Sequence, residues 1–242
     1  MNSIAQALAQ LPPEQQSEWE ELQQGAVDPL DTLTSWTPEH RRAVRVGLSG
    51  WVRAQPDPHS MLGVVVYWSR RLGVMLACVV ARETLRYVPA GEARPLLAIE
   101  TAERWARTGA VPPLECRDAA YASEHVRYLE TIEAALSAAG GSAACASITA
   151  AHSANAVSEA AEVSKAVAAD NARWSQRAAY EMRAYISKAL NAANATVERA
   201  VRAAVPSAPG VDGRASRAAE ARRLRGVVAD ALLVGPVAEW IG

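Results

Sequence analysis

The sequence predicts an all-α protein, a mainly antiparallel multi-helix array with long Ala-rich helices, and three observations carry that prediction. Half of the 242 residues are hydrophobic, yet there is no Phe and only 5% of residues are aromatic, so Ala, Leu, Val and seven Trp must fill the core. Ala is the best helix former, and small side chains let neighbouring helices approach closely. Pro and Gly then cluster at a few points between long stretches that hold neither, and over those stretches apolar residues recur at helical spacing.

The elements are taken in chain order. Leu11-Pro12-Pro13-Glu14 sets Pro at a helix start, and QQSEWEELQQ ends before Gly25. Thr37-Pro38-Glu39 repeats the signal and opens a helix to about Ala54, which Gln55-Pro56-Asp57-Pro58 stops. From His59 to Val88 the chain is at its most hydrophobic. Val64-Val65-Val66 alone could be a strand, but thirty residues with only single glycines suit one buried helix better. After Pro89-Ala90-Gly91 comes an amphipathic helix over Ala93 to Thr108, with Ala98, Ala102 and Trp105 on one stripe and Glu100–Arg104 and Glu103–Arg107 as i,i+4 pairs. Gly109 closes it. Another helix is expected from Leu114 to about Ala139, broken by Gly140-Gly141, with Ser142 capping the next helix. No Pro or Gly interrupts the chain from there to Ala204, which gives one very long helix or two parted near Ala169-Asp170-Asn171. A linker over 205–213 precedes a helix from Arg214 to Leu233 and a short tail. The expected organisation is an acidic helical segment over 1–58, a helical core over 59–204, that linker, and a docked helix with its tail over 214–242.

Composition and motifs narrow the function classes. A net charge of -1 gives no reason to expect nucleic acid or an anionic membrane as partner. Ser69-Arg70-Arg71 sits inside the one strongly apolar stretch, which no lone membrane span would tolerate. Cys78, Cys116 and Cys145 are odd in number and widely spaced, as expected of free thiols in a reducing compartment. With no Lys or Arg before Arg41 there is no signal-type n-region, and the expected address is the cytoplasm. No H-E-x-x-H, G-x-S-x-G or phosphate-loop pattern occurs, so no metal, cofactor or catalytic residue is expected and the chain reads as a non-enzyme.

Three sets of residues stand out. Arg214, Arg217, Arg222, Arg223 and Arg225 read as a solvated helix face. Glu14, Glu18 and Glu21 recur at spacings of four and three, share one helical face, and could steer a basic partner. His152, two turns before Glu159, reads as a hydrogen-bonded core or interface histidine rather than a metal ligand.

The stretch Arg94-Pro95-Leu-Leu-Ala98-Ile99-Glu100-Thr-Ala102-Glu-Arg-Trp105-Ala106-Arg-Thr-Gly109, preceded by Ala77-Cys78 and Tyr87-Val88-Pro89, resembles the helical immunity proteins of bacterial polymorphic toxin systems, specifically immunity family five. Arg117-Asp-Ala119-Ala120, Ala144-Cys145-Ala146 and Ala150-Ala151-His152 are similar to that family in order and spacing, so the resemblance covers about residues 76–153. It implies a non-enzymatic inhibitor that binds a cognate protein toxin, a nuclease being one class, in the producing bacterial cell. Within it Arg94 and Glu100 are expected to anchor by ion pairing, and Trp105 to be buried in an Ala-lined gap. The rival reading is a self-assembling or adaptor protein whose region from Ser142 to Ala204 makes a homotypic bundle; homo-oligomerisation fits either.

Overall fold

The computed structural model of the chain describes Gly50 and residues 54–128, 134–169, 171–205 and 213–233. Glu14, Glu18 and Glu21, the linker apart from Val205 and Gly213, and the tail lie outside the described residues, as do the first two expected helices apart from Gly50 and Ala54. The described residues form seven α-helices and contain no strand, so the protein is all-α.

Helix α1 (Pro58–Trp68) starts where Asp57 accepts hydrogen bonds from the Ser60 amide at 3.0 Å and the Ser60 hydroxyl at 2.8 Å, with Pro58 at the first helical position. Val64-Val65-Val66 is helical. The single helix expected from His59 to Val88 is, however, two helices and a 3-10 turn. Ser69 takes an extended conformation (φ -145°, ψ 119°), and its hydroxyl accepts from the Leu72 amide at 3.1 Å to cap α2 (Arg70–Arg82). One serine thus does what a Pro or Gly would announce, because its side chain satisfies the amide that the break exposes. The bend folds α2 back onto α1 so closely that a Cβ on Gly73 would lie 2.4 Å from Val66 Cγ2 and 2.9 Å from Val66 Cα. The 3-10 turn Leu85–Tyr87 then leads out of α2.

Helix α3 (Arg94–Thr108) ends at Gly109, whose φ of +66° is the left-handed conformation that Gly adopts without strain. Its stripe of Ala98, Ala102 and Trp105 is buried as expected. Arg71 donates from Nε to the Ala106 carbonyl at 2.6 Å and from Nη2 to the Arg107 carbonyl, placing a cation on the negative end of α3. Of the two expected i,i+4 pairs, Glu103–Arg107 forms at 3.7 Å. Arg104 turns instead to Glu115, because α4 (Pro113–Glu124) returns across this side of α3.

The helix expected to run to Ala139 stops at Glu124 and gives way to a 3-10 turn, His125–Tyr128. The break expected at Gly140-Gly141 is absent: α5 (Ala134–Ala168) runs straight through it, and Ser142 is no cap but a buried mid-helix residue donating to the Thr196 carbonyl at 3.0 Å. The glycines make room instead. A Cβ on Gly140 would sit 2.9 Å from the Ser123 carbonyl oxygen, and one on Gly141 would sit 2.4 Å from the Arg199 guanidinium. Ser123 uses this approach to donate to the Gly140 carbonyl at 2.8 Å. Helix α6 (Ala172–Ala204) begins at the expected parting point, capped by Asn171, which accepts from the Trp174 amide at 3.3 Å.

Helices α5 and α6, 35 and 33 residues long, form an antiparallel hairpin roughly 50 Å in length. Its base packs into the main core with α1 to α4, through Ala143, Ala146 and Ala150 of α5 and Ala189, Ala193 and Val197 of α6. Helix α7 (Gly213–Leu233) closes that core with Leu224, Val228 and Leu232, lying against α1, α2 and α6. Two arginines of its basic run are not a solvated face. Arg223 bridges Glu220 at 2.8 Å and Glu83 at 2.7 Å, and Arg225 donates to the Gln55 carbonyl at 2.9 Å, because docking α7 brings both against α1 and α2.

Candidate interaction surfaces

The described residues that stand out in the sequence fall on separate elements: Arg94, Glu100 and Trp105 on α3, His152 on α5 and the basic run on α7. Arg94 pairs with Glu92, two positions before it, through Nε at 2.8 Å, so the expected anchoring role with Glu100 is replaced by a local clamp at the start of α3. Glu100 is exposed. Trp105 is 1% exposed, walled by Ala residues of the main core. The buried anchor of this region is Glu103, whose spacing in the chain marks it only as half of a surface pair with Arg107. It is 7% exposed and accepts from Arg82 Nε at 2.6 Å and Nη2 at 2.8 Å. A bidentate pair fixes α2 to α3 with both charges satisfied.

His152 lies half-buried on α5, its ring centroid 6.1 Å from that of Tyr185 on α6. The expected hydrogen bond is missing at Nδ1, which is buried without a partner. Burial, together with the charges of Lys188 and Arg117, depresses its pKa below the ordinary histidine value, so the ring is neutral near pH 7. Among the described residues no group of three His, Cys, Asp or Glu is placed to hold a metal ion, and no helix is long and apolar enough to cross a membrane. The three cysteines are free. Burial pushes the Cys78 thiol well up, with Glu103 adding to the effect, and pushes Cys116 up to about 11, which leaves both as unreactive thiols near neutral pH.

What the fold does assemble is two exposed surfaces, neither legible as such in the chain. The first lies on α3 and α4. Leu97 and Arg104 are seven residues apart, hence on one stripe of α3, and Leu114 and Tyr121 stand in the same relation on α4. The Arg104–Glu115 pair joins the outer sides of α3 and α4, and each of these helices exposes large apolar groups on its outer side, Leu97 on α3 and Leu114 and Tyr121 on α4, all more than half exposed, with the exposed Asp118 one turn from Leu114. Large apolar groups with a Tyr, set among charges on rigid helices, are the composition of protein-binding patches.

The second surface is the distal half of the hairpin. Here the buried residues, among those described, form two small clusters from α5 and α6, Ala156, Ala160 and Met182, then Val163, Ala178 and Ala179. Trp174 and Tyr180 are both more than half exposed, and Arg177 lies over the Trp174 ring at 5.5 Å. A shallow groove of about 230 Å³ runs between the helices, lined by Glu162, Lys165, Ala169, Trp174 and Ala178.

No protein-family model, no curated protein and no solved structure matches the chain.

Proposed function

We propose that this protein is a non-enzymatic inhibitor of the immunity class, which binds a cognate toxin in the cytoplasm of the producing bacterial cell and covers its active surface. The observation that carries this reading is the α3–α4 face. It presents Leu97, Leu114 and Tyr121 on a scaffold held by the buried Arg82–Glu103 pair and by Trp105, and it falls inside the stretch that resembles immunity family five. Such a face can bury apolar anchors against a partner while the Arg104–Glu115 pair and Asp118 form a polar rim. The acidic stripe Glu14, Glu18 and Glu21 supplies attraction toward a basic toxin such as a nuclease.

Co-expression with the toxin encoded beside the gene tests it. The intact protein rescues growth, and Leu114→Glu combined with Tyr121→Ala abolishes rescue at an unchanged melting temperature. A gene neighbourhood without any toxin, or rescue that survives those changes, overturns the reading. Changing Glu14, Glu18 and Glu21 jointly to Gln lowers the association rate and flattens its salt dependence; equal rates and slopes remove the steering role.

A further inference from the structure

We draw no further inference here: the strongest candidate, the basic side-chain cluster of Arg117 on α4, His152 on α5 and Lys188 on α6 at the junction of base and arm, rests only on the electrostatic effect of the two cations on the His152 ring, and nothing among the described residues shows what would occupy it.

Discussion

Helix α3 and the distal part of α6 are both amphipathic helices rich in Ala and Arg, yet they are used in opposite ways. Trp105 on α3 is sealed by Ala98, Ala102 and the walls of α2 and α5, and the carboxylate beside it at Glu103 is held by two hydrogen bonds from Arg82. Trp174 on α6 points outward with an arginine over its ring. The difference lies in the number of layers. Around α3 the chain supplies neighbours on several sides, so burial rises and polar groups must be paired. Along the arm only one neighbour is present among the described residues, and Val157, Trp174 and Tyr180 are exposed there. The same residue type therefore stabilises the fold in one place and remains available for contact in the other.

Trp105→Ala sharpens this contrast most. Removing a fully enclosed indole costs about 3 to 5 kcal/mol, a large part of an ordinary domain's stability, whereas Trp174→Ala leaves the thermal midpoint of dilute protein nearly unchanged. Equal losses from the two substitutions, measured by chemical denaturation, would erase the distinction between core and arm.

Met182→Ala probes the arm's own small core. Its side chain is almost fully enclosed but its partners are Ala156 and Ala160, so the loss should fall near the low end of the usual range, about 2 kcal/mol. Hydrogen exchange should show that loss within residues 156–182 while α2 and α3 keep their protection. Faster exchange throughout would mean that arm and base unfold as one unit.

Gly73→Ala tests the tightest helix crossing of the base. The added methyl meets Val66 at its backbone as well as its side chain, so α1 and α2 must separate, at a cost of about 1 to 3 kcal/mol. Gly141→Ala meets no backbone, only the flexible Arg199 side chain from Cδ outward, and should cost less. A reversed order, read from denaturation midpoints, would show that the α5–α6 contact is the more rigid of the two.

The smallest expected effect is a pH dependence at the junction of base and arm. The pKa of His152 is lowered in the folded state by burial, then by Lys188 and Arg117, so the unfolded chain takes up this proton first. The contribution is complete above the unfolded histidine value of about 6.5 and is lost as pH falls below it toward the folded value. His152→Asn should flatten the change in melting temperature between about pH 7 and 5. An unchanged profile would move the titration elsewhere.

Much of the fold is readable in the chain because its signals are local. Pro58 after Asp57, Gly109 after a helical stripe and Asn171 after Asp170 each act through backbone geometry or a nearby hydrogen bond, and each marks a boundary where it is expected. Ser69 is as local, but serine caps only when the surroundings favour a bend, and its residue type is common inside helices elsewhere in this chain. The exposed pair Leu114 and Tyr121 carries a faint signal, two large apolar groups one heptad apart beside Glu115 and Asp118, and it acquires meaning only when Leu97 is brought alongside.

The sequence by itself determined that this is an all-α chain, where most helices begin and end, and that Trp105 belongs inside. Alanine propensity, proline and left-handed glycine act within a few residues, and no distant contact is needed to decide them. Only the tertiary structure decided that Gly140 and Gly141 continue a helix, that Arg104 leaves Glu100 for Glu115, and that Arg223 reaches Glu83. Each of these turns on which neighbour arrives: glycine breaks a helix in water but accommodates a close crossing once Ser123 and Arg199 occupy the space beside it. An arginine, likewise, has several carboxylates within reach of its sequence, and packing selects the one that stays when water is excluded.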